Sequence, residues 1–330
     1  MFKRFDRTKI KTRPLAKRKN KIFVKDIKLP KIETDRYYDP ELDQLVKDIL
    51  TAHRKGKQII LSMGAHPIKL GYSKIFIDLM ESGLITHLAT NGAVAIHDFE
   101  LAYIGATSED VEKNIKDGSF GLWDEPGNFM NQAAEWGASH NQGLGETIGQ
   151  FINQDKPWPM PHKDISIFAA AHRLKIPATI HKQIGCDITD EYPNVNFSAL
   201  GQTSGIDFDI HVNSISNLQN GVFVCVGSQI MAPEVYLKSL SMARNVATQK
   251  GKKINKFTTA VFDNHDLGNW RNDKNVVNYK NEQTLKNERY YYRPMKSILV
   301  RTIKDGGKSF YIKGDFNDTL PIFHHRLTKK

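Results

Sequence analysis

The chain has 330 residues, 40% of them hydrophobic and 25% charged, which is enough material for a large buried core. No window holds eighteen consecutive apolar residues, so a membrane-spanning helix is not expected, and the N-terminus lacks the apolar stretch of a secretory signal. The two cysteines, Cys186 and Cys225, have no CxxC partner, which argues against a zinc cage or disulfide framework and for a reducing, cytoplasmic setting. The formal charge is +11, yet residues 1–21 alone hold ten basic side chains against Asp6. Residues 1–30 are therefore expected to form a flexible basic arm, the one place where nucleic acid would dock, with 31–330 as a single domain.

Residues 41–54 place Leu42, Leu45, Val46, Ile49 and Leu50 on one helical face. KQIILSMG then reads as a buried parallel strand, and residues 71–83 as an amphipathic helix closed by Gly83. ITHLATNGA is a second strand, and residues 97–104 resume helical spacing. Thr107 and Asp110 have the spacing of a capping box. Residues 164–173 read as a helix, KIPATI as a strand, 181–205 as a loop and 207–219 as a helix. GVFVCVGS is a strand, APEVYLKSLSMARN a helix and KFTTAVFD a further strand. The polar stretch 264–296 is too long for a plain connection and so is expected to be functional or disordered. Alternating strands and helices imply an α/β fold: a doubly wound, mostly parallel sheet with helices on both faces.

In such sheets ligands bind beyond the carboxyl ends of the strands. Four strand ends here are polar or glycine-bearing. They are Gly64-Ala65-His66, Thr90-Asn91-Gly92 followed by His97-Asp98, Gly227-Ser228, and Asp263-Asn264-His265-Asp266. Small residues before a helix let backbone amides approach phosphate oxygens, although glycines also serve plain tight turns. The GxGxxG fingerprint is absent, as are HExxH and related metal motifs. Asp263 and Asp266 would attract a cation, an amine or a metal, or else cap their loop. His66, His97, Asp98, Asp263, His265 and Asp266 leave open a hydrolase or other metal- or acid/base-dependent enzyme. A non-catalytic nucleotide-binding protein docking through the basic arm is a further alternative.

Taken in order, these segments resemble deoxyhypusine synthase and its bacterial relatives. GAHPIKLG stands where the family has SNLISSG, Thr90-Asn91-Gly92-Ala93 where it has TTAGG, and Gly185-Cys186-Asp187 where it has LGD. Val226-Gly227-Ser228 matches its GGG turn, Phe262-Asp263-Asn264-His265-Asp266-Leu267-Gly268 its FDGSDSG, and the segment from Asp315 to Pro321 its ADASLVFP. The resemblance covers about residues 45–327 and implies a Rossmann-like domain assembled as a homo-oligomer, dimer or tetramer. It further implies NAD as cofactor and a small-molecule amine, usually a polyamine, as substrate of a transferase that passes an aminoalkyl group through a lysine imine. Thr90, Asn91, Gly92, Asp98, Gly227, Ser228, Asp263 and Asp315 would then line the dinucleotide pocket, and Asp187 and Asp266 would face the amine, with His265 beside them. The family's WGK segment has no counterpart; Lys296, with Lys304 beyond it, is the substitute for the imine-forming lysine.

Overall fold

The computed structural model describes residues 2–27, 37–273 and 275–329. Its strands are Ile22–Phe23 (β1), Ile59–Met63 (β2), His87–Thr90 (β3), Ala106–Thr107 (β4), Ala178–Ile180 (β5), Val222–Val226 (β6), Thr258–Asp263 (β7) and Lys308–Lys313 (β8). The longer helices are Pro40–Arg54 (α1), Ser73–Glu81 (α2), Gly92–Ile104 (α3), Asp124–Ser139 (α4), Leu144–Asn153 (α5), Ile167–Leu174 (α6), Phe197–Ser216 (α7), Met231–Gln249 (α8) and Phe316–Thr328 (α9). No helix among the described residues is long and apolar enough to cross a membrane.

The chain separates into two compact units, where one domain was expected from sequence. The first comprises Met1–Lys28 with Thr90–Phe208, the second Leu29–Ala89 with Asp209–Lys330. In the second, β3, β2, β6, β7 and β8 lie side by side and every pair is parallel. Strands β2, β6 and β7 are buried along their whole length, as a sheet covered on both faces requires. Side chains alternate between the two faces. Ile60, Phe223, Cys225, Val261 and Tyr311 form one core with Tyr236 and Leu240 of α8 and with Met295, Ile298 and Leu299. On the other face α1 packs on β2, β6, β7 and β8, and Phe262 meets Phe323 of α9 at 5.0 Å. This is a Rossmann-like α/β fold.

The first unit is mostly helical. Its α5 packs on α4, α6 and β5, and Phe99 of α3 stacks on Phe129 of α4 at 4.1 Å. The N-terminal segment is part of this unit, which corrects the expected flexible arm. Leu15 is fully buried, β1 pairs with β4, and the Arg18 guanidinium meets the Glu100 carboxylate at 2.6 Å with both side chains buried. Arg7 donates to the carbonyls of Asp190 and Tyr192. Basic charge here is spent on internal partners as much as on solvent.

Four expectations shift. Thr107 lies in β4 and donates to Glu100, so no capping box forms; Asp110 alone caps the short turn that follows. Helix α7 begins at Phe197, inside the expected loop. Helices α4 and α5 were not anticipated, because each carries two glycines, and Asn128 and Asn131 weaken α4 further. The stretch 264–296 contains short helical turns and leads into a π-helical segment, Met295–Arg301.

Candidate functional site

The carboxyl ends of β2, β6, β7 and β8 lead into the walls of one cavity of about 230 Å³ in the second unit. His66 follows β2, Gly227 and Gln229 follow β6, Asp263 ends β7 with Asn264 after it, and Gly314, Asp315 and Phe316 follow β8. A parallel sheet aims all these termini to one side, so four loops far apart in sequence meet there.

Two glycines make this convergence possible. Gly227 has φ +58°, and a Cβ on it would lie 2.9 Å from the Phe316 ring. A Cβ on Gly64 would lie 2.2 Å from the Gly227 carbonyl oxygen. A side chain at Gly64 would push the β2 and β6 loops apart, and one at Gly227 would press on the Phe316 ring and strain its left-handed backbone. Ser228 is buried, and its hydroxyl accepts from the Ala232 amide in the first turn of α8. Ser228 is not among the residues that line the cavity.

Asp263 is the buried carboxylate of the site. It accepts from the Tyr292 hydroxyl at 2.8 Å, from the Gln229 amide at 3.2 Å and from the Asn264 backbone N–H at 2.8 Å. Burial and the neighbouring Asp263 charge push the Tyr292 hydroxyl far up, so it stays a donor. Tyr292 also stacks on His265 at 4.8 Å, and Tyr311 donates to the His265 carbonyl. Sequence reasoning missed Tyr292, Tyr311 and Gln229. No local pattern marks them, since Tyr292 reaches Asp263 across 29 residues of irregular chain.

The other expected residues of this unit divide. Asp315 is exposed at the cavity, where it caps α9 through the Asn317 amide. Asp266 is exposed, accepts from the Gly268 amide and pairs with Lys313 at 3.2 Å; those bonds and that ion hold its carboxyl below the usual range. Neither Asp266 nor His265 is in the cavity wall. Lys296 is also outside it: only 8% exposed, its ammonium sits 4.1 Å from the Tyr290 ring centroid. Burial, then Arg293 and Arg301, lower its pKa.

The first unit groups its own expected residues. Asn91 caps α3 by accepting from the Val94 amide. A Cβ on Gly92 would lie 2.2 Å from a carboxylate oxygen of Asp187, so glycine admits that side chain. Lys182, which sequence reasoning passed over, pairs with Asp187 at 2.9 Å and Asp190 at 2.7 Å and donates to Thr189. Burial, the largest influence, raises the Asp187 pKa against the pull of Lys182. Thr90 and Asp98 are interior positions, a correction to their expected place in a pocket. Thr90 donates to the Thr179 carbonyl, and Asp98, fully buried, accepts from the Ser166 hydroxyl and the Ile167 amide. Burial raises Asp98 to about 7.

Among the described residues no three His, Cys, Asp or Glu side chains gather closely enough to hold a metal ion. The second unit's cavity does suit part of a nucleotide. Its carboxylates can accept from ribose hydroxyls, its glycine turns admit close backbone approach, and α8 starts beside it. At about 230 Å³ it is smaller than the roughly 300–1,000 Å³ of whole ligand pockets, so it has room for one nucleoside half of a dinucleotide.

The class of protein thus defined is an α/β fold with a cavity beyond the carboxyl ends of a parallel sheet. No protein-family model and no curated protein matches the chain. Solved structures do. ArgZ, an arginine dihydrolase from the ornithine–ammonia cycle in cyanobacteria, superposes with a TM-score of 0.51 at 12% identity, over 89% of this chain and 33% of ArgZ. A LOR/SDH protein from Methanococcus maripaludis S2 gives 0.48 at 14% identity, over 91% of this chain and 73% of that one. A deoxyhypusine synthase structure from Entamoeba histolytica gives 0.33 at 9% identity, over 68% and 72%. The chain spans about a third of ArgZ, and the likeness to ArgZ is one of fold.

Proposed function

We propose that this protein is an NAD-dependent enzyme acting on an amine or guanidino compound, with one nucleoside half of the dinucleotide seated in the second unit's cavity. The observation that carries this reading is the convergence of Gly227, Asp263 and Asp315 at the ends of adjacent parallel strands. Asp263, fixed by Tyr292 and Gln229, would accept from ribose hydroxyls, and its negative charge disfavours a 2′-phosphate there. When bound, the nicotinamide would supply a hydride acceptor. A cationic substrate agrees with the acidic lining and with the name of ArgZ as an arginine dihydrolase. Aminoalkyl transfer would add Lys296 as nucleophile. Its lowered pKa favours the free amine that imine formation needs, and borohydride trapping with labelled spermidine would mark it.

The test is a melting curve with NAD. Linkage stabilises the bound protein by about 2.7 kcal/mol at a hundredfold excess over Kd, a rise of several degrees in Tm. Asp263→Asn should shrink that rise, and NADP should give less than NAD. A wild-type melting curve and tryptophan fluorescence left unmoved by millimolar NAD would overturn the reading.

A further inference from the structure

The opposite edge of the same sheet has a different character. Strands β6, β7 and β8 begin at Val222, Thr258 and Lys308, and a cavity of about 310 Å³ opens beside these residues, with Lys55, Lys256 and Lys308 in its wall. A second cavity of about 460 Å³, built on the same 252–256 segment, adds Arg244, Lys252 and Lys253. The carboxylates in these walls are Asp48 and Asp305. Asp48 is already taken, by Lys308 at 2.9 Å and the Thr258 hydroxyl at 2.7 Å. Arg244 is also committed, donating to the carbonyls of Ile254 and Thr302. That leaves Lys55, Lys252, Lys253 and Lys256, all exposed and without an ion pair among the described residues.

We propose that this amino edge is a nucleic-acid-binding surface that follows a phosphate backbone. Unneutralised ammonium groups spread over two neighbouring hollows suit a ligand with several spaced phosphates, whose binding releases condensed counterions. A single small phosphate is served less well, because amides that could cradle it are used: Thr258 donates to Gly221, Lys308 to Phe257 and Asn220 to Lys256. An acidic protein partner is disfavoured, since protein interfaces are poor in lysine and rich in exposed aromatic anchors. Here the large apolar wall residues Val222, Ile254 and Phe257 are all buried. These lysines belong to the second unit, whereas the basic docking site expected from sequence lies in the N-terminal segment of the first.

The experiment is fluorescence anisotropy of the full chain with a labelled oligouridylate of about 20 nucleotides, from about 50 to 200 mM salt. Affinity should fall steeply with salt. Changing Lys55, Lys252, Lys253 and Lys256 together to glutamine should weaken binding roughly tenfold or more at low salt and flatten the salt slope by about 0.7 for each phosphate no longer neutralised. The same variant should keep the wild-type melting curve, because all four side chains are exposed, and should respond to NAD as the wild type does. Changing Lys3, Lys9 and Lys11 to glutamine should leave affinity within about twofold. The proposal fails if the oligouridylate does not bind at low salt, if the four-lysine variant binds like wild type, or if the N-terminal variant loses the binding instead. Competition by polyglutamate as effective as by unlabelled RNA would also overturn it, in favour of an acidic protein.

Discussion

Asp207 shows how one buried side chain can set a pH response. It is fully buried in the first unit, where one oxygen accepts from the amides of Gly145 and Ile180 and the other has no hydrogen-bond partner. Burial raises its pKa to about 8, against the pull of those amides. The folded state therefore holds a proton that the unfolded chain releases near its ordinary value of about 3.9. The resulting stability is complete below that value and is lost as pH rises through about 8, at up to about 1.4 kcal/mol per pH unit. Asp207→Asn keeps an acceptor for the two amides and cannot ionise. Denaturation between pH 4 and 8 should show a shallower decline for the variant and a higher Tm than wild type at pH 8. Equal slopes for the two proteins would refute the assignment. Nothing in the residues around position 207 announces this, because the partners come from α5 and β5.

Elements were legible wherever they carry a period or an unbroken apolar run. Strand β2 read directly as a buried parallel strand and β6 and β7 as strands, because apolar runs mark strands covered on both faces, and α1 and α8 read from their helical spacing. Helices α4 and α5 did not, since their glycines lower intrinsic helicity and packing sustains them, against each other and against α3, α6 and β5. The π-helical segment at Met295–Arg301 has no sequence period of its own and follows from the core it fills. At this scale Asn91 gives a clean test. Its side-chain carbonyl oxygen is the cap of α3, so Asn91→Ala should cost about 1 kcal/mol in urea denaturation. A loss near zero would mean that water replaces the cap.

At the scale of the whole chain, charge is arranged rather than merely abundant. The second unit's sheet carries Asp263 and Asp315 at its carboxyl edge and unpaired lysines at its amino edge. The ten basic residues near the N-terminus belong to a segment anchored by Leu15 and by the Arg18–Glu100 pair. Breaking such a buried pair from one side leaves an uncompensated charge, at a cost of about 3–5 kcal/mol. Arg18→Met should therefore lower the stability of the first unit by that order in chemical denaturation, and Arg18→Met with Glu100→Gln should recover much of it. If Arg18→Met unfolds at the wild-type denaturant concentration, the segment is not a structural part of that unit.

Composition and period were enough to establish an α/β chain with a parallel sheet and to point to strand ends that border a cavity, because burial on both faces writes itself into consecutive residues. The glycine turn at Gly227 and the carboxylate Asp263 were visible at such strand ends, whereas Asp315 entered only through the resemblance to deoxyhypusine synthase. Which carboxylates face a cavity was decided only in three dimensions. Asp98 and Asp263 look alike in sequence, but one is enclosed by Ser166 and Ile167 while the other is held at a cavity wall by Tyr292 and Gln229. The same holds for the basic N-terminus, whose charge suggested a free arm and whose partners, about eighty to a hundred and eighty residues away, made it part of a core. Partners that distant leave no trace in local pattern, since their meeting depends on how the whole chain packs.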